Sequence, residues 1–117
     1  MNKMLLQGTT AADGSATING SRTISGLLVA VQWIDGDLAD GVDAVLSTVN
    51  TPSAATLLTL TDANNDALYY PRVVAHSNAG AAQASVDQLQ LIEGLPRLAI
   101  TNGGNAKTGG CVIYWVE

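Results

Sequence analysis

The 117 residues suit one domain, because a chain of this size removes roughly two-thirds of its accessible surface from water on folding and needs neither metal nor disulfide to hold a core. Charged residues make up 13% of the chain, against a usual share of about 25%, and Lys3, Arg22, Arg72, Arg97 and Lys107 are scattered through a net charge of −5. That excludes the basic stripe on which nucleic-acid binding depends, and no run approaches the roughly eighteen apolar residues of a membrane span.

The apolar residues are mainly Ala, Val, Leu and Ile, there is no Phe, and the aromatics are Trp33, Tyr69, Tyr70, Tyr114 and Trp115. With Thr, Ser, Asn, Gln and Gly in place of charge, the surface is expected to be neutral and polar, which suits a protein packed among neighbours.

Taken in chain order, Met1 to Gly8 carries the apolar triplet Met4-Leu5-Leu6, too short for the core of a signal peptide, so the chain is expected to be made in the cytoplasm. It is either an N-terminal arm or a first strand, followed by the linker-like stretch Thr9 to Gly14. Ser15 to Ile24 alternates Ala16 and Ile18 with Thr17 and Asn19. From Gly26 the run Leu27 to Ile34 gives the clearest strand, with Leu27, Val29, Val31 and Trp33 at a period of two. Val42 to Val49 and Ala55 to Thr61 repeat this grammar. Leu68 to Ala75 is interrupted by Pro71, which has no N–H for a ladder, so that strand should be an edge, be bulged or be broken there.

Asn78 to Ser85 predicts only a turn. Val86 to Ile92, Arg97 to Thr101 and Gly110 to Val116 complete the set, and the glycines and asparagines of Asn102 to Gly109 predict a hairpin between the last two. The result is an all-β, antiparallel β-sandwich or jelly-roll-like domain of about eight or nine short strands over residues 1–117. Its expected core is Leu28 or Leu27, Val29, Val31, Trp33, Leu58, Leu60, Leu98, Ile100 and Ile113.

The residues that could carry chemistry are few. His76 is the only histidine, there is no G-x-S-x-G elbow, and Cys111 sits inside Cys111-Val112-Ile113 as a small buried hydrophobe. Asp35, Asp37, Asp40 and Asp43 do not match a calcium loop, since Asp40 stands where its glycine belongs. Asp62-Ala63-Asn64-Asn65-Asp66 begins better, but Ala67 and Val73 occupy the sixth and twelfth positions; Asx-rich turns explain both runs. Gly104-Asn105-Ala106-Lys107-Thr108 lacks the glycine before its lysine and the following helix of a phosphate loop. No catalytic, cofactor or metal residue is therefore assigned. Tyr114 and Trp115 are adjacent and must point oppositely, so one of them faces away from the core or into an interface.

Ala55 to Val73, which contains Thr56-Leu57-Leu58-Thr59, an Asn/Asp turn and Tyr69-Tyr70-Pro71-Arg72-Val73, followed by Ala75-His76 and Ala79-Gly80-Ala81, resembles small virion proteins of tailed bacteriophages. The resemblance runs from about Gly26 to the C-terminus. It implies a capsid decoration, or cement, protein: a non-enzymatic β-domain bound in many copies to the outer capsid surface, stabilising the major capsid protein lattice. On that reading the partners are the major capsid protein and copies of the chain itself, as trimer or dimer, and Met4, Leu5, Leu6, Tyr114 and Trp115 are the candidate contact residues. The competing readings are a carbohydrate-binding or adhesin-like module of a tail or fibre, drawn from the aromatics, and a minor tail or connector component.

Overall fold

The computed structural model describes residues 1–117 and contains strands and no helix. The strands are β1 (Asn2–Thr9), β2 (Ala16–Asn19), β3 (Ile24–Ile34), β4 (Asp43–Val49), β5 (Thr56–Leu60), β6 (Ala67–Tyr69), β7 (Arg72–His76), β8 (Ala82–Thr101) and β9 (Thr108–Val116). All pairings are antiparallel. They form one open sheet in the order β1-β9-β3-β8-β4-β5, with β2 and β7 also on β8 and β6 on β3. The fold is sandwich-like because β8 belongs to both layers. Its Gln90–Gly94 stretch pairs with β3 beside β9 and β1, while Leu95–Thr101 pairs with β4 and, from Arg97, with β2. Apolar side chains of the two layers meet in a single core that includes Met4, Leu6, Trp33, Leu46, Leu98, Ile113 and Trp115.

Val86 to Ile92 and Arg97 to Thr101, expected as separate strands, are thus parts of one 20-residue strand. The punctuation between them bends the strand without ending it. Gly94 has φ +115° at the point where β8 changes partner, and a Cβ there would lie 2.7 Å from the carbonyl oxygen of Val49. Strands that switch sheets turn at such corners. Pro96 is tolerated beside it because its carbonyl, and hence its missing N–H, points toward the end of β2, where it accepts from Gly20 at 2.7 Å. Gly94→Ala combines a strained φ with a backbone clash and should cost about 1–3 kcal/mol, read as a lowered melting midpoint.

Pro71 breaks its strand, one of the outcomes expected for it, leaving β6 in the first layer and β7 outside it. Three other expectations change. The segment Asn102 to Lys107 is not a hairpin: β9 pairs with β1 and β3, while the end of β8 pairs with β4 and β2, so the chain crosses between layers there. Positive φ at Asn102, Gly104 and Ala106 makes the crossing, and Thr10 pins it, its hydroxyl donating to Gly104 O and accepting from Lys107 N.

The period of two along β3 also breaks. Leu28 pairs with Trp115 and Ala30 with Tyr114, so Val29 is an extra, bulged residue. Leu28, Val31 and Trp33 are buried, Leu27 is exposed, and Val29 is only half-buried. Leu58 packs against the core only in part.

Finally, Met1 to Gly8 is no detached arm. Asn2 to Thr9 pairs with Trp115 to Thr108 over eight residues, and the buried Met4 and Leu6 alternate with exposed Lys3 and Leu5. Met4, Leu6 and Trp115 are therefore withdrawn as contact residues, because each is enclosed in the chain's own core.

Candidate functional site

Paired residues in a sheet share a face and successive residues alternate, so the register assigns every side chain to the core or to the outside. On the outside of the second layer the rows read Thr59-Val45-Ala99-Thr17 and Ser47-Arg97-Asn19, the small and polar face usual for a sandwich. The outside of the first layer is different. One row reads Leu5-Val112-Gln32-Leu68, the next Lys3-Tyr114-Ala30, and a third Val116-Leu27-Leu91.

Seven of the eight large apolar side chains that the molecule exposes belong to this surface. Leu5, Leu27, Leu68 and Leu91 lie in its rows, and Val74 extends it by pairing with Asp87, which shares a face of β8 with Leu89 and Leu91. Met1 and Tyr70 border a groove of about 290 Å³ with Val29, Ala30, Gln32, Leu68 and Tyr114. Val86 is the exception. Of the five proposed contact residues, only Leu5 and Tyr114 reach this face. The continuous apolar runs Leu27 to Val31 and Val112 to Val116 carried its signal, since a strand apolar on both sides has both sides to cover.

The groove has little to hold a polar ligand. The Gln32 Nε2 is engaged by the carbonyls of Trp33 at 2.9 Å and Ala67 at 3.1 Å. Trp33 and Trp115 are fully buried, which removes both indoles from any sugar platform. Trp33 donates to Ala63 O at 2.9 Å inside the core, and the Arg22 guanidinium lies 5.5 Å over the Trp115 ring. Replacing Trp115 would consequently report on folding rather than on glycan contact.

The second surface feature is an arm. Residues Arg72 to His76 pair only with the first part of β8, and Ala82 to Gln88 are all exposed. The two strands leave the layers at the β3 bulge, where β6 replaces β8 as the neighbour of β3. Arg72 fastens the base, donating to Val29 O at 3.1 Å and Pro71 O at 2.8 Å, with its guanidinium 5.9 Å over the Tyr70 ring. At the tip, Ser77 Oγ accepts from the amides of Ala79 and Ala81, and Gly80 adopts φ +82°. His76 is exposed at the end of β7.

The aspartates gather at the opposite kind of place, the loops joining the layers. Asp35 N donates to Asp66 Oδ1 at 2.8 Å, Thr108 N to Asp37 Oδ1 at 2.6 Å, and Asp62 N to Asp43 Oδ1 at 3.0 Å. Gly41 N donates to Asn64 Oδ1 at 2.7 Å. These side chains accept from amides 19 or more residues away and so tie separate loops together, instead of closing the local Asx turns expected for the two runs, and no three acids, histidines or cysteines converge as a metal cage. Loss of hydration raises the Asp35 carboxyl above its ordinary value, with Asp66, Asp40 and Asp37 adding repulsion. The side-chain bond from Ser15 leads the effects that lower Asp13.

Cys111 lies between the layers, lining a void of about 10 Å³ with Val31, Trp33 and Leu98 among its walls. Burial pushes its thiol up to about 12 from an ordinary 9.0. The folded protein should resist thiol reagents at neutral pH and react once unfolded. A raised folded value also fixes the pH dependence. The contribution is fully present below about pH 9 and falls by about 1.4 kcal/mol per unit as pH rises toward 12. In denaturant titrations the stability difference between wild type and Cys111→Ala should be constant below about pH 9 and change only in that alkaline window.

The chain matches no protein-family model, no curated protein and no solved structure.

Proposed function

We propose that the chain is a structural virion protein, a decoration or cement protein that binds the outer capsid surface of a tailed bacteriophage in many copies and braces the major capsid protein lattice. One observation carries this reading: the segment that bears the phage-like motif supplies parts of the molecule that lie unpaired on one side or exposed. Its Thr56–Leu60 portion is an edge strand, Ala67–Tyr69 lies beside the apolar groove, and Arg72 to Ala81 forms half of the free arm and its tip. A two-stranded ribbon of this kind is marginal alone in water and gains from a surface to lie on.

Purified particles and capsids stripped of accessory proteins test it. Density for the chain over the head exterior is expected, and the soluble protein should rebind stripped capsids to saturation. A variant whose arm is shortened to a tight turn between Val74 and Val86 should keep its melting midpoint and rebind weakly. Density confined to the tail or the connector, or undiminished binding by the shortened variant, would overturn the proposal.

A further inference from the structure

We infer that the outer face of the first layer is the contact surface of a two-fold symmetric dimer, with a second copy of this chain as its occupant. The inference stands apart from the virion reading, since it concerns the purified chain.

Size is the first argument. Three neighbouring strands of eight to eleven residues, β1, β9 and β3, flanked by β6 and the Gln90–Gly94 part of β8 end to end, spaced about 4.8 Å apart at about 3.3 Å per residue, span roughly 19 by 30 Å, and the arm adds a ribbon of about 10 by 20 Å. Together they offer about 800 Å², the area that each partner of a stable complex commonly contributes.

Charge is the second. At −5 the chain repels its own copies, so a self-contact has to exclude the acids. Asp13, Asp35, Asp37, Asp40, Asp43, Asp62 and Asp66 all lie in or beside the loops that join the layers. The face itself carries Lys3 and Arg72 against Asp87 and Glu93, two of each sign. A patch that meets its own copy must contain both halves of every polar pairing, and this one does.

Symmetry is the third. A ring of three needs two different complementary patches on each subunit, whereas a two-fold contact uses one patch twice. This molecule has one apolar face; the outside of the second layer is Thr, Ser, Arg and Asn with small apolar residues between. The geometry therefore selects the dimer over the trimer. Leu5 and Leu91 stand near opposite ends of the face, and both are about half exposed, at 55% and 50%.

Sedimentation equilibrium of the purified full chain across a concentration series is the test. Wild type is expected to dimerise. Leu5→Asp and Leu91→Asp should each weaken the dimer about 10-fold or more while leaving the circular dichroism and melting midpoint of the monomer unchanged, because neither side chain is in the core. Thr59→Asp, on the outside of the second layer, should dimerise as wild type does. A wild type that stays monomeric, or that sediments as a trimer, would overturn the inference, as would a dimer indifferent to both leucine substitutions or equally weakened by Thr59→Asp. A monomer that still decorates capsids would overturn it and leave the virion reading standing.

Discussion

Deletion of Met1 to Gly8 should unfold the domain. β1 pairs with β9 along its whole length, from Asn2 opposite Trp115 to Thr9 opposite Thr108, and supplies Met4 and Leu6 to the core. Its loss would uncover one edge of β9, expose two large apolar residues' worth of core and leave the flank of Ile113 and Trp115 open to water. Burial of each such side chain is worth about 1.5–3 kcal/mol, and the whole domain is stable by only about 5–15 kcal/mol. Loss of the cooperative melting transition is the expected outcome. A truncated chain that still melts cooperatively near the wild-type midpoint would show that the sandwich closes without β1.

Truncation of Trp33 is the second large effect. Its indole is fully buried between the layers and its N–H donates to Ala63 O, so it also anchors the loop that follows β5. Trp33→Ala should cost about 3–5 kcal/mol for the lost burial and cavity, and it leaves the Ala63 carbonyl without its donor. At roughly 4 °C or more per kcal/mol, the midpoint should drop by more than about 10 °C. Val29→Ala, four residues earlier, provides the contrast: the bulge turns Val29 toward the groove, so its truncation should cost under about 1 kcal/mol. Equal losses for the two variants would contradict the bulge.

The sequence is informative here wherever a local rule is enough. Alternation located most strands, Pro71 marked its break, and the adjacency of Tyr114 and Trp115 forced one of them outward. Turn chemistry shows that a chain reverses, but it does not say whether the flanking strands pair, and so the Asn102 to Lys107 crossing resembled a hairpin. The union of Val86–Ile92 with Arg97–Thr101 depends on what lies beside Gly94, namely Val49 and Thr51, which are distant in sequence. A single inserted residue at Val29 reversed the phase of half a strand, which periodicity counted from Leu27 could not register. The contact face was half legible: the apolar runs of β3 and β9 announced it, but the contribution of Leu68, Val74 and Leu91 needed the register of three further strands.

The pairing of β1 with β9 also sets the order of events during synthesis. Asn2 finds its partner only when Trp115 has been made, and β3, though early in the chain, waits for β8 and β9 on its two sides. The emerging polypeptide therefore cannot complete the first layer until β9 has been made, nor the second until the end of β8 has, and Met4, Leu6, Leu28 and Trp33 remain uncovered until then. Topologies dominated by such distant contacts fold in milliseconds to seconds rather than microseconds. During that interval the half-made chain is open to aggregation, and its yield should depend on growth temperature and on the supply of general chaperones more steeply than the stability of the finished domain would suggest.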